Sequence, residues 1–362
     1  MGDTYRIHPL LLVYPTRIHG QRILAAETFS HVPPTLLKNP SVTAWLVSLP
    51  SFFSFDDGLR LWVQLADESI KGVFDDLWTH LQQDGIIISQ GDDSPSMKRF
   101  QLWQKYDWSE AFVYHESTRN YPFIKMDEKG AFAEDTERMQ AYVAEEPPPS
   151  RYQRFENPLL SIPLVKHDND IALENYVSSL NREEKIGSKG VSVLFDICFG
   201  ERFQSSFGCQ GQFLKKTIPS GGARHPLEVF YFSFGKIVPS GVYHYNVRNN
   251  TLDQLRAENT YNEAEQATFD LFKKYNDKPL GLLVFTAIPE RAMWRYRDSR
   301  SYRAILIDIG HALSALRIVS LKLGYRHYTY QKFDDKKIAS LIGINPIHQI
   351  PFFVSSLVEG EG

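Results

Sequence analysis

The sequence predicts an α+β protein in two folded regions, a winged-helix-like N-terminal region over residues 1–125 and an α/β domain over residues 161–362. An acidic, proline-rich linker is expected between them, over residues 126–160. Three observations predict this arrangement: an amphipathic helix leading into a turn and a short strand, a composition break ending in three consecutive prolines, and buried-strand runs beside a long apolar helix. The length of 362 residues exceeds one typical domain, and a hydrophobic content of 43% is ample for a core.

In the first region, Ile70, Val73, Phe74, Leu77, Trp78 and Leu81 recur at spacings of three and four, which is one face of a helix. Asp84-Gly85 then supplies a turn and Ile86-Ile87-Ile88 a short apolar strand, the element order of a winged helix. Asp67, Glu68, Asp75 and Asp76 surround this helix, with Lys71 as the counterweight, so phosphate would be repelled. A peptide-binding or structural module is expected, not a DNA-binding one.

The linker is placed on Glu145-Glu146-Pro147-Pro148-Pro149-Ser150, because three prolines cannot continue a helix or a central strand. About 200 residues follow, enough for one α/β enzyme domain. Within them, Val229 to Phe232 and Gly281 to Thr286 read as buried strands, rich in branched and aromatic residues and bounded by turn formers. Residues Ala304 to Leu323 are almost continuously apolar, but Asp308, His311, Arg317 and Lys322 interrupt the run and Gly324 stands at a helix C-cap. The expected reading is a helix buried inside a domain or at a subunit interface, not a membrane span.

Lys and Arg total 40 against 43 for Asp and Glu, a formal charge of -3, which gives no general drive toward nucleic acid or anionic membrane. Cys198 and Cys209 match no metal, haem or thioredoxin spacing, and the apolar run Leu10 to Val13 is too brief for a signal-peptide core. A reduced, cytoplasmic protein is expected.

Dinucleotide, P-loop, zinc-protease and serine-hydrolase signatures are all absent. The most informative stretch is Pro219-Ser220-Gly221-Gly222-Ala223-Arg224-His225-Pro226-Leu227-Glu228, a small-residue turn ahead of a strand. Glycine lets a backbone approach a ligand closely, and Arg224 offers a fixed positive fork for an electron-rich oxygen or a phosphate. The residue types alone fit equally a tight loop carrying a surface arginine.

This stretch, followed by Gly241 to Asn246, resembles the flavin-binding loop and hairpin of SagB-type azoline dehydrogenases in the FMN-dependent nitroreductase superfamily. Arg300-Ser301-Tyr302-Arg303 before Asp308-Ile309-Gly310-His311 is similar to the R-G-Y-R segment and helix of that family, with Ser301 replacing glycine. Tyr114 to Phe123 resembles a segment upstream of the catalytic domain in cyanobactin-type oxidases, which join winged-helix-like modules to the flavin domain.

The resemblance covers about residues 160 to 358 and implies a nitroreductase-like FMN-binding α/β sandwich and a homodimer holding FMN at each subunit interface. It implies oxidation of a thiazoline or oxazoline, in a peptide or an assembly-line intermediate, to the azole, with oxygen regenerating the flavin. A cyclodehydratase or synthetase is the implied partner. Cofactor contacts are expected from Pro219, Ser220, Gly221, Gly222 and Arg224. Phosphate contacts are expected from Arg182 and Lys185, in a segment that departs from the R-R-S-x-R pattern by Glu183 and Glu184.

Family members carry a Lys-Tyr pair where this chain has Arg295-Tyr296. Arginine, with a pKa above ~12, cannot accept a proton from carbon, so the expected catalytic pair is Tyr296 as base with Arg295 beside it. That departure keeps another flavin-dependent desaturation open, and the altered phosphate segment keeps open a silent peptide-binding scaffold. His115, His225, His244 and His311 are expected to be structural.

Overall fold

The computed structural model describes the chain except residues 1–2, 10, 19–20, 29–34, 92–93, 120–128, 168–172, 207, 270, 275–278 and 361–362. Asn120 to Phe123 of the oxidase-like segment thus lie outside the described residues. The chain divides into two compact units, Met1–Tyr121 and Pro122–Gly362.

In the first unit, three helices, Pro40–Ser48, Phe55–Leu65 and Phe74–Gln83, enclose Trp45, Trp62, Phe74 and Trp78. Gly58 makes that packing possible, since a Cβ there would stand 2.9 Å from the Trp78 ring. The expected helix starts at Phe74, preceded by a short 3-10 turn at Lys71–Val73, and Asp75 and Asp76 favour the first turn through the helix dipole. Gly85 adopts φ 68° and turns the chain into the strand Ile87–Ser89. A wing would pair this strand with the one that follows. Among the described residues it pairs instead with Tyr5–Ile7, and a separate sheet joins Leu11–Ile18, Gln21–Thr28 and Thr35–Leu37.

The second unit is built on a seven-stranded sheet in the order Tyr325–Tyr330, Ile350–Glu359, Gly281–Ala287, Leu227–Ser233, Gly241–Asn246, Thr251–Arg256, Leu160–Pro163. Each neighbouring pair is antiparallel. Tyr231, Leu283 and Phe285 point to one face, where helices Ser188–Phe199 and Tyr302–Leu323 pack. Phe230, Phe232, Leu282 and Val284 point to the other, under Tyr261–Ala267 and Asp335–Ile342. Both faces being covered explains why these strands read as unbroken apolar runs and not as alternation.

The helix Tyr302–Leu323 ends at Gly324 with φ 80°, as its C-cap residue requires. It is long and apolar enough to cross a membrane, yet Ile305, Ile309, Ala312, Leu316 and Val319 face the domain core. Its burial is one-sided: Leu306, Ile307, Ile318 and Leu321 are exposed at 46%, 58%, 56% and 60%.

The segment expected as a linker over 126–160 is built differently. It carries a helix, Ala131–Glu145, inside the C-terminal unit. Asp135 is paired with Arg295 at 2.8 Å, Glu145 with Arg297 at 2.7 Å, and the Ser150 carbonyl accepts from Arg291 at 2.9 Å. The acidic composition that suggested a solvated linker is the charge complement of an arginine cluster far along the chain.

Candidate functional site

The strand Gln212–Lys216 delivers the chain into the loop that holds Pro219 to Arg224. Asp308, on the long helix, accepts from the Ser220 hydroxyl at 2.6 Å and from the Gly221 N–H at 3.2 Å. The Ser220 hydroxyl oxygen in turn accepts from the His225 N–H at 2.9 Å, and the N–H groups of Ala223 and Arg224 close onto the Ser220 and Gly221 carbonyls. Burial pushes the Asp308 carboxyl up from its usual range, with these hydrogen bonds opposing.

Gly222, Ala223 and His225 adopt φ of 56°, 52° and 47°. Two non-glycine residues in left-handed backbone cost about 1–2 kcal/mol each and mark a loop held in place by its surroundings. The two glycines serve close packing: a Cβ on Gly221 would meet the Ala304 Cβ at 3.1 Å, and one on Gly222 would collide with the Tyr296 hydroxyl. Glycine was expected here for close approach to a ligand, with several N–H groups available. Most of these are consumed by the loop and Asp308, while the Gly222 N–H is not taken up by these bonds. Gly222→Val should therefore displace Tyr296 and lower stability by about 1–3 kcal/mol, read as a fall in urea midpoint.

Tyr296 follows the short helix Glu290–Met293, and its N–H caps onto the Ala292 carbonyl at 3.0 Å. Arg295 stacks 5.1 Å from the Tyr296 ring centroid, but its guanidinium is paired with both Asp135 oxygens at 2.8 Å. Burial works against the ionised Asp135, yet Arg138 and Arg295 hold its carboxyl below the usual range. The phenol of Tyr296 also acts electrostatically on Arg224, favouring the charged guanidinium.

Arg224 is only 3% exposed and donates to Gln210 at 2.7 Å. Arg224 and Arg151 both stack on Phe213, at 4.9 and 5.0 Å from its centroid. Burial, then the Arg151 charge, pushes Arg224 down to about 10, so it stays cationic at neutral pH. Among the described residues, Arg224 Nε and Arg151 Nη2 are buried donors with no hydrogen-bond partner.

Beneath the loop lies a buried ion cluster. Glu228 meets Arg291 at 2.6 Å and His244 at 2.9 Å, all three nearly free of solvent. Burial opposes its ionisation, but Arg291 and His244 hold the carboxyl down to about 2. His225 is pushed down to about 3, first by burial and then by Lys216, and its Nε2 lies 2.9 Å from the Leu214 carbonyl. His225 and His244 are thus each held by a neighbouring group.

These residues border a cleft of about 690 Å³, lined by Phe132, Asp135, Phe213, Lys216, Pro219, Ser220, Gly222, Arg224, Arg295 and Tyr296, among others. The structure thus brings Pro219, Ser220, Gly222 and Arg224 together with Arg295 and Tyr296. It does not bring Arg182 and Lys185 to them. Arg182 is exposed and pairs with Glu359 at 3.6 Å, near Gly324 at the far end of the long helix. Gly221 packs beside Ala304, and from there to Gly324 the helix rises about 30 Å at 1.5 Å per residue.

Sequence reasoning missed Lys216. Its ammonium is pushed down to about 8, first by burial and then by Arg291, with Glu228 and Glu201 opposing. Only its position three residues ahead of Pro219 could have signalled it, and Lys215 beside it looks the same in sequence.

No family model matches the chain. Two curated proteins do. The trifolitoxin-processing protein TfxB of Rhizobium leguminosarum bv. trifolii is 29% identical over 226 residues, 59% of this chain and 60% of that protein. The microcin B17-processing protein McbC of Escherichia coli is 25% identical over 146 residues, 39% of this chain and 53% of that protein. The chain spans less than two thirds of the length of either relative. Among solved structures, a nitroreductase from Anabaena variabilis superposes with a TM-score of 0.52 at 19% identity, over 68% of this chain and 45% of that one. The chain therefore has a nitroreductase-like fold, in agreement with the resemblance read from its loop motif.

Proposed function

We propose that this chain is an FMN-dependent dehydrogenase of the SagB-type, azoline-oxidising branch of the nitroreductase superfamily, converting a thiazoline or oxazoline in a peptide or carrier-tethered intermediate to the azole. The observation that carries the reading is the cleft walled by the strained loop at Gly222, the buried Arg224 and Tyr296, in a chain similar to two peptide-processing proteins. Its volume of about 690 Å³ lies within the range of small-molecule and cofactor sites. The Gly222 N–H and Arg224 Nε, which has no hydrogen-bond partner among the described residues, are donors suited to the electron-rich edge of a flat, oxygen-bearing ring. The residues therefore fit a flavin.

FMN held there would supply the hydride acceptor, with dioxygen as the oxidant that regenerates it. Arg224 neutralises charge at the ring edge, and Asp308 keeps the loop in register through Ser220 and Gly221. Arg295 and Asp135 fix the Tyr296 ring against Gly222, with its hydroxyl toward the cleft.

The phosphate contacts from Arg182 and Lys185 belong to the same proposal and require a homodimer, because within one chain they lie far from the cleft. The exposed apolar stripe of Leu306, Ile307, Ile318 and Leu321 is the surface on which the copies pair. Ile307→Glu with Ile318→Glu should then yield a monomer by light scattering that has lost its flavin.

The N-terminal unit serves as the peptide-recognition module, a cyclodehydratase or synthetase supplies the substrate, and the protein is cytoplasmic. The purified chain should be yellow, with absorbance near ~450 nm and FMN released on denaturation. It should remove the mass of two hydrogens from a thiazoline peptide. A yellow protein that instead desaturates an open-chain peptide would support the reading favoured by arginine at 295, and a colourless one that binds peptide would support a scaffold.

A further inference from the structure

We propose that Lys216 is the base that takes the proton from the substrate carbon, the task that Arg295 cannot perform. This rests on the dehydrogenase reading above and names a group within the same cleft.

Dehydrogenating a ring C–C bond requires one proton and one hydride to leave adjacent carbons. The proton needs an acceptor on the cleft wall. Arg224 and Arg295 remain protonated and cannot serve. Asp135 is tied up by Arg138 and by both contacts from Arg295. His225 faces the Leu214 carbonyl through Nε2, and burial leaves it too weak a base to hold a proton at neutral pH.

Lys216 differs from all of these. It lines the cleft with Ser220, Gly222 and Tyr296, and among the described residues its amine has no hydrogen-bond or ion-pair partner. The carboxylate that most favours its charge, Glu228, is already committed to Arg291 and His244. Arg291, from a neighbouring element, disfavours the Lys216 charge, Glu228 and Glu201 favour it, and His225, held uncharged at neutral pH, leaves it unopposed. Asp308, from the long helix, is bonded to Ser220 and Gly221. The outcome, an amine at about 8, is neutral in about one molecule in ten at pH 7 and in half at its midpoint.

The step balances as follows. The C–H bond beside the ring nitrogen breaks, its proton passes to Nζ of Lys216, and the amine becomes an ammonium. The C–H on the adjacent carbon would leave as hydride, for which bound FMN would be the two-electron acceptor, and the electron pair of the first bond becomes the new ring double bond. Tyr296, expected from the sequence as the base, acts in this scheme as a donor to the substrate atom on which negative charge gathers.

The test uses the full chain with its flavin and a synthetic thiazoline peptide. Lys216→Arg keeps a long cation but cannot accept a proton, and Lys216→Met removes both functions. Both variants should retain the flavin absorbance of the parent and lose about 10²–10⁴-fold in kcat. The parent kcat/KM should climb with pH through about 8, a limb that Lys216→Met lacks, and added ethylamine should partly restore Lys216→Met. Independently of turnover, competitive acylation read by mass spectrometry should place the Lys216 amine midpoint near 8. A yellow Lys216→Arg or Lys216→Met protein at parental rate, or an amine that titrates like free lysine, overturns the base and leaves the flavin reading intact. A colourless parent, or a yellow one inert to the thiazoline, overturns that reading and this base with it.

Discussion

Replacing Glu228 with glutamine should lower the stability of the C-terminal unit by about 3–5 kcal/mol, because it strands Arg291 as a buried charge without its carboxylate. Arg291 is 2% exposed and Glu228 3%, so water cannot rescue either group. The remaining partners of Arg291, the carbonyls of His225 and Ser150, carry no compensating charge. The same pair predicts an acid limb. Glu228 sits at about 2 in the folded chain against an ordinary 4.5, so its stabilisation is present above about 4.5 and is lost as pH falls toward 2. Urea midpoints followed by fluorescence should drop steeply over that window in the parent and less steeply in Glu228→Gln. Equal midpoints for the two proteins at pH 7 would show that the pair does not hold the loop.

Tyr296→Phe should lower kcat by about 10²–10³-fold while leaving flavin content unchanged. Phenylalanine keeps the ring that Arg295 stacks on and that lies over Gly222, so the cleft retains its shape. What disappears is the hydroxyl that lies against Gly222 on the cleft wall. Stopped-flow reduction of the flavin by a thiazoline peptide measures that loss of rate. Reduction at the parental rate would remove Tyr296 from the chemistry.

Much of the C-terminal unit was legible because its signals are local. The runs at Val229 and Gly281 are continuous because both sheet faces are covered, and Gly324 ends its helix through the conformation its position demands. The loop motif was legible as a tight small-residue turn ahead of a strand, though the physical reasons for its glycines were not. Gly221 and Gly222 answer to Ala304 and Tyr296, residues more than seventy positions away. The helix Ala131–Glu145 was hidden for the same kind of reason. Its acidic residues look solvated until Arg295 and Arg297 are folded against them. Arg182 and Lys185 carried the right charge for an anion, but charge in a sequence says nothing about which end of a long helix it occupies. Lys216 escaped because its environment, and not its neighbours in the chain, makes its amine unusual.

One outer strand of the sheet, Leu160–Pro163, has a bearing on how the molecule meets others. It is four residues long and finishes on proline, which offers no N–H to a further strand. Fibril-like growth from that border is therefore discouraged by the backbone itself, through its shortness and the missing N–H at its end.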